Sequence, residues 1–331
     1  MSNKTTRLLT LLLLFLLFSS SVQGKYVVKF GIYVKHLAIK KSNFVFDADF
    51  YWWMKLPLNQ PGLDTSNPLK NIEFVNADLI DVRTFEKKII GNEFYVHGSA
   101  KGEFLYVANY RNYPFDSQNL NITIESTTDE KGKCIMVADS MAYIQHNKLD
   151  IYRLIHKGIF LEGISIKDIN INNEDGYYNS NFGDPNSSLQ SVYSRLSFNF
   201  EVERQYFSYF LKLIIPLFII VILSYLVFFV PSSELEVASS LTVTSLIAAV
   251  AFQITIADDI PTVGYTTSCD LIFYLSYATI MIAMIQTIYT YNLEKSNKQE
   301  LSKKIEKLGR WFLPIFYLLI LLIIVVISSH Q

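Results

Sequence analysis

Cysteine is almost missing from this chain. Its two cysteines, Cys134 and Cys269, lie far apart in sequence. That spacing excludes a disulfide framework and a thiolate metal site, and both read as small buried hydrophobes. Net charge is equally slight: 29 basic residues against 30 acidic ones leave a formal charge of -1. Nothing in that balance favours nucleic acid as a partner. His36, His97, His146 and His156 are scattered rather than clustered. The sequence holds no glycine-rich phosphate loop, no zinc spacing and no nucleophile elbow. The apolar runs hold no paired histidines or acids of the kind a membrane-embedded enzyme needs. No enzyme activity, cofactor or metal is expected.

Apolar length, by contrast, is plentiful. Half of the 331 residues are hydrophobic, concentrated at the N-terminus and after Tyr206. Residues 1–24 read as a secretory signal. Lys4 and Arg7 precede the apolar run Leu8–Phe18, with small residues Val22 and Gly24 before Lys25. Residues 25–204 form one domain of ordinary length. Runs such as KYVVKFGIYVKHLAI, FVFDADFYWWMKL and SVYSRLSFNFEVE are β-branched and aromatic, several alternating with period two. Gln60-Pro61-Gly62, Ile90-Gly91-Asn92, Lys131-Gly132-Lys133 and Gly183-Asp184-Pro185 supply turn chemistry between strands. The pattern predicts an immunoglobulin-like β-sandwich.

A membrane domain over 205–331 follows, with four spans at about 206–230, 235–257, 269–290 and 311–328. Pro216 inside the first is tolerable where neighbours satisfy the freed carbonyl. Residues 291–310 read as a short cytoplasmic connection. Its Lys295, Lys298, Lys303, Lys304, Lys307 and Arg310 fit the positive-inside rule. The N-terminal domain and the C-terminus then both lie outside, extracellular or periplasmic, in a multi-pass protein of the cell (inner) membrane.

The second span is not uniformly apolar. Steps of three or four residues place Glu236, Ser240, Thr244, Ile247, Ala251, Ile254 and Asp258 on one helical face. Carboxylates in a membrane segment are costly unless they face water or partners. Such a stripe suits a helix lining water. It also suits small polar residues packed against neighbouring helices.

Several short segments decide between these. Tyr113-Pro114-Phe115-Asp116, followed by Ser117-Gln118, resembles the signature loop of the prokaryotic pentameric ligand-gated ion channels, the bacterial branch of the Cys-loop receptor superfamily. Arg204 stands where that family has its pre-membrane arginine, and Pro216 where its first helix carries proline. Ile260-Pro261-Thr262-Val263-Gly264-Tyr265 is similar to the linker between the second and third helices, and Phe74-Val75-Asn76 to an agonist-site loop. The cysteines that close the signature loop in animal receptors would fall near Tyr106 and Leu120, so the disulfide is absent. Ile39-Lys40-Lys41-Ser42-Asn43 is basic where relatives often carry an acid.

The resemblance implies a homopentamer, four further copies joining each chain, with the second helix of every copy lining a central pore. Glu236 would form a carboxylate ring selecting monovalent cations. Ser240 and Thr244 would offer hydroxyls to the ion. Ile247, Ala251 and Ile254 would form the apolar constriction, and Asp258 the outer mouth. Tyr113, Pro114, Phe115, Asp116, Arg204, Pro261 and Tyr265 would couple the domains, with Pro114 and Phe115 pressing on the 261–265 linker. An agonist site between adjacent sandwiches would draw on Asn76, Tyr143, Tyr177, Tyr178, Phe182 and Tyr193, and on Trp52 or Trp53, since alternation shows the cleft only one of each pair. Aromatic residues there suit an organic cation or an aromatic ligand. The agonist, small molecule or proton, stays open, as does the sign of any pH response. A non-conducting, membrane-anchored sensor is the competing function. Membrane lipid is the remaining partner.

Overall fold

The computed structural model of the chain describes residues 25–329 apart from 41–43, 59, 61, 62, 128, 146, 147, 162, 184–189, 258, 259 and 261. The predicted signal, Asp258 and Pro261 lie outside the described residues.

Strand alternation builds the first domain. In β2 (Val45–Pro57), Phe46, Ala48, Phe50, Trp52 and Met54 are buried while Asp47, Asp49, Tyr51, Trp53 and Lys55 are not. The same parity in β1 (Tyr26–Ile39) buries Phe30, Ile32 and Val34. These two strands pair antiparallel and continue through β5 (Glu93–Leu105) to β4 (Ala77–Ile90). On the other side of β1, β7 (Cys134–Ala138) and β10 (Ile155–Leu161) add in parallel, completing a six-stranded sheet. Two short strands, β8 (Ile144–Gln145) and β9 (Lys148–Leu149), form a separate hairpin.

The facing sheet has the order β11 (Ile164–Tyr178), β12 (Ser191–Arg204), β6 (Ser117–Ser126), β3 (Ile72–Phe74). Its inward residues, Leu120, Ile122, Ile124, Leu196, Phe198 and Phe200, are fully buried. They meet the first sheet over an aromatic core in which Phe30 stacks on Trp52 at 6.2 Å and Phe46 on Phe104 at 5.5 Å. Two sheets packed face to face make the predicted sandwich.

Four helices follow, each long and apolar enough to cross a membrane: α1 (Tyr206–Tyr225, extended by a 3-10 turn Leu226–Phe229), α2 (Leu235–Thr255), α3 (Ser268–Lys295) and α4 (Gln299–Ser329). The central helix is α3. It buries Cys269, Ile272, Phe273, Ile280 and Ala283, and its hydroxyls return to its own carbonyls, Ser276 to Ile272 and Thr287 to Ala283. Such back-bonding satisfies polar groups where water is absent.

The expected connection 291–310 is mostly helix. α3 runs on to Lys295 and α4 begins at Gln299, so residues 296–298 make the turn. Packing decides this: Ser302 is buried and donates to the Thr290 carbonyl, and Gly309 lets Gln286 lie against α4, donating to the Ile305 carbonyl at 2.7 Å.

Candidate functional site

Three places in the fold gather the candidate residues. The first is one face of α2. Ala238, Thr242, Ser245 and Ala249 are buried against the other helices. Thr242 and Ser245 donate back to the Ala238 and Leu241 carbonyls. The opposite face carries Glu236, Ser240, Thr244, Ile247, Ala251 and Ile254, all exposed, Ile247 at 64% and Ile254 at 70%. Ala238, Thr242, Ser245 and Ala249 thus pack inward, and among the described residues nothing of the same chain covers the acidic, hydroxylic and apolar stripe. α2 is fixed to α3 by Phe252 against Phe273 at 5.9 Å and by the Tyr277 hydroxyl, which donates to Gln253 at 2.6 Å.

The second place is the junction of sandwich and helices. Asp116, buried at the start of β6, accepts from Arg204 at the end of β12: Nε to Oδ1 at 3.0 Å and Nη2 to Oδ2 at 3.4 Å. The guanidinium lies 5.0 Å over the Tyr113 ring. Burial would lower the Arg204 pKa, but the Asp116 charge and hydrogen bond outweigh it and hold it above its ordinary value. Tyr110 and Tyr113 are buried among Leu213, Leu217, Cys269 and Phe273 of the helices. The signature loop is therefore seated inside the membrane domain's upper core.

Its backbone also ties to the helical side. The Ser268 and Cys269 amides donate to the Arg111 and Tyr113 carbonyls at 2.8 and 3.1 Å, and the Tyr110 amide donates to the Tyr265 hydroxyl at 2.9 Å. Pro114 is buried. Phe115 packs on Phe210 of α1 at 5.4 Å, so one contact of this pair of residues is with the first helix. Lys40 pairs with Asp47 and Glu103 at 3.3 and 2.5 Å, which engages one of the two lysines read in the first loop; Lys41 lies outside the described residues.

Side-chain hydrogen bonds close the base of the signature loop. Gln118 brackets Asn109, accepting its amide at 3.0 Å and donating to its carbonyl at 2.8 Å, while the Tyr106 and Tyr110 hydroxyls bond at 2.5 Å. Tyr106 and Leu120, where the cysteines would fall, sit in the sandwich core.

The third place is a pocket of about 390 Å³ on the sheet that holds β3 and β6, lined by Glu73, Glu125, Ser126, Thr127, Tyr178, Phe182 and Tyr193. Tyr178 stands edge-on to Tyr193 at 5.5 Å and packs on Phe182 at 5.6 Å. Glu125 is 2% exposed. It accepts from Arg195 Nε at 2.7 Å and from the Tyr178 hydroxyl at 2.5 Å, and Arg195 Nη2 donates to that hydroxyl at 2.9 Å.

The expected agonist residues divide. Tyr178, Phe182 and Tyr193 come together here. Tyr177, its neighbour's strand parity reversed, points elsewhere and is 62% exposed. Tyr143 is a correction: it is buried in the sandwich core, its hydroxyl bonded to the Ile32 amide and carbonyl at 2.9 and 3.1 Å. Trp52 is a second, since β2 turns it inward onto Phe30. Trp53 faces outward, where its indole donates to Asp139 at 3.0 Å, Asp139 also holding Lys55 at 2.7 Å. Asn76 acts as a splint, donating to the Leu105 and Asn121 carbonyls at 2.9 and 2.7 Å and accepting the Thr123 amide at 3.1 Å. Glu73, Glu125 and Arg195 were not legible as site residues. The one available signal was parity, since each alternates with core residues on its strand.

No family model matches the chain. It is 26% identical over 259 residues to a proton-gated ion channel of Gloeobacter violaceus, an alignment covering 76% of this chain and 65% of the relative. It is 21% identical over 204 residues to the human gamma-aminobutyric acid receptor subunit rho-3, covering 62% of this chain and 40% of that one. The chain thus spans less than two thirds of the length of these relatives. Both are named for channel or receptor activity and neither for an enzyme.

Proposed function

We propose that this relative of the bacterial pentameric ligand-gated ion channels is itself a gated, cation-selective pore, a homopentamer opened from its sandwich side by a small ligand or by protons. The observation that carries the reading is the uncovered face of α2. Glu236, Ser240, Thr244, Ile247, Ala251 and Ile254 lie on it, while Ala238, Thr242, Ser245 and Ala249 of the same helix face inward. An apolar spanning helix that turns its carboxylate and hydroxyls away from its own bundle needs water or equivalent helices opposite them.

Arranged around an axis, Glu236 would concentrate cations at the inner mouth. Ser240 and Thr244 would replace part of their hydration. The Ile247, Ala251 and Ile254 rings would stop flow by dewetting. Asp258 is the proposed outer mouth. Ligand binding at the Tyr178–Tyr193 pocket would move the β11–β12 hairpin. β12 ends in Arg204, so motion there reaches Asp116, the signature loop and, through Tyr265 and Pro261, the end of α2. The N-terminal domain would face the extracellular or periplasmic side of the cell membrane.

The test is a current. The chain is expressed in oocytes under voltage clamp, with Ile247→Ser as the deciding variant. Replacing an apolar ring by hydroxyls should wet the constriction and produce a leak whose reversal potential follows sodium. Surface-expressed Ile247→Ser protein without any leak would favour a membrane-anchored sensor that does not conduct.

A further inference from the structure

The helix that carries Glu236 does not fix its own beginning. The first amides of any helix have no partner inside it, and a Ser, Thr, Asp or Asn just before the first turn usually supplies one. Here that residue is Glu234, which makes no side-chain cap among the described residues. The turn leading from α1 into α2 is held from outside instead, by α3 and α4.

α4 makes the first hold. Arg310 Nε donates at 2.7 Å to the carbonyl of Phe228, in the 3-10 turn that extends α1. Carbonyls at a helix C-terminus lack intrahelical partners, and a cation there meets the negative end of the dipole. The guanidinium also lies 5.1 Å over the Phe229 ring. The Arg310 carbonyl in turn accepts the Tyr225 hydroxyl at 2.8 Å. Glu306, on the same helix, comes no closer to Arg310 than 4.0 Å, so the short bond is the one to α1.

α3 makes the second hold, where Ser232 of the turn donates to Glu294 Oε2. Between these anchors, Val227 and Phe228 share one buried cluster with Ala238 of α2, Ala283 of α3 and Leu313 of α4. Ala238 lies in the same first turns of α2 as Glu236.

We propose that Arg310 and Glu294 are positioning residues for ion selection: they hold the α1–α2 turn, and with it the place at which Glu236 stands in the inner mouth. The inference rests on reading α2 as the pore wall. Neither anchor has to face the ion. A ring of carboxylates concentrates cations according to its distance from their path. Around a loosened turn the Glu236 carboxylates would spread over several positions, and the ring would hold fewer cations.

The test separates holding from charge. Arg310→Gln keeps an N–H donor as many bonds from Cα as the arginine Nε, and discards the charge. Arg310→Met keeps the length and discards both. Glu294→Gln keeps an acceptor for Ser232 without the charge, and Glu294→Leu keeps neither. Each full-length variant is recorded in oocytes on the Ile247→Ser background, whose leak is read without an agonist. The readout is the reversal potential in a sodium chloride gradient. A residue that served folding alone would change the amount of surface protein and leave this potential where it is.

Arg310→Met and Glu294→Leu should each lower the preference for sodium over chloride by roughly threefold, part of the effect of losing the Glu236 charge outright. Both glutamine variants should match the parent. Ser232→Ala, on the partly exposed turn, should shift the potential as Glu294→Leu does, and it decides the matter if an apolar variant fails to reach the surface. An unchanged potential in Arg310→Met, Glu294→Leu and Ser232→Ala would overturn the proposal. Equal shifts in the glutamine variants would also overturn it, because the two charges would then act through their field. If Ile247→Ser alone gives no leak, the pore reading falls and takes this inference with it. A leak indifferent to both anchors overturns this inference alone.

Discussion

Asp116 and Arg204 show how much one pair of side chains is asked to do. The carboxylate is 1% exposed and the guanidinium 19%, and Gln118 adds a third partner at 2.7 Å. Removing one member of such a pair leaves the other buried and uncompensated. Asp116→Asn should cost about 3 kcal/mol, the lower end of the buried range because Arg204 keeps some water contact. Thermal unfolding in detergent would measure it. Arg204→Lys should lose much of the same stability, since an ammonium cannot reproduce the two-nitrogen contact. Near-native melting of both variants would mean the pair is not held as described.

A second residue prediction concerns Glu73 and pH. Its folded pKa is raised, so the native state binds the proton more tightly than the unfolded chain does. The resulting stability is fully present below the ordinary carboxylate pKa and is lost as pH rises through the raised value. Glu73→Gln cannot lose it, so the variant should gain stability relative to the parent as pH rises from about 4 to about 7. Melting curves at matched pH values compare the two. A parent–variant difference that does not change with pH would mean that Glu73 titrates alike in both states.

At the scale of elements, what sequence could reveal was whatever it writes locally. The signature loop, Arg204 and the stripe on the second span are contiguous or periodic, and all were legible. Trp52 against Trp53 was a question of parity that adjacent residues could not answer. It took the burial of Phe50 and Met54 on the same side of β2 to turn Trp52 inward. Glu73 and Glu125 are 52 residues apart and meet because β3 adds to the edge of β6, a pairing no local pattern announces. α4 began earlier than hydropathy implied, because its charged first turns bury Ser302 and Gly309 against α3.

The start of α3 is where an element-scale prediction belongs. Thr267 accepts the Asp270 amide at 3.2 Å, and Asp270 in turn accepts the Thr267 amide at 2.9 Å, a reciprocal cap. The next two amides hold the signature loop through Arg111 and Tyr113. Thr267→Ala should cost about 1 kcal/mol of stability. It should also weaken coupling, because the cap fixes the amides on which the loop rests. Agonist or proton concentration–response curves should shift while surface expression is kept. Destabilisation without any change in gating would make the cap a stabilising feature only.

The whole molecule adds what no single subunit can have. Among the described residues α2's exposed stripe has no partner within its own chain, and in the proposed homopentamer its equivalents would face one another across a narrow aqueous path. Charge repeated around such a path is not screened as it is on an open surface, where the Debye length is about 8 Å at physiological salt. The inner ring is the clearest case. Glu236 is exposed at the first turn of α2, and copies of it would hold cations at a concentration well above bulk. Glu236→Gln should therefore reduce the preference for sodium over chloride by about tenfold at low ionic strength. The reversal potential in a sodium chloride gradient reads this directly, and the difference from the parent should shrink as salt is raised and screening takes over. An unchanged reversal potential would remove Glu236 from the selectivity mechanism. A change that persists undiminished at high salt would place the residue in direct contact with the permeating ion rather than in a ring acting through its field.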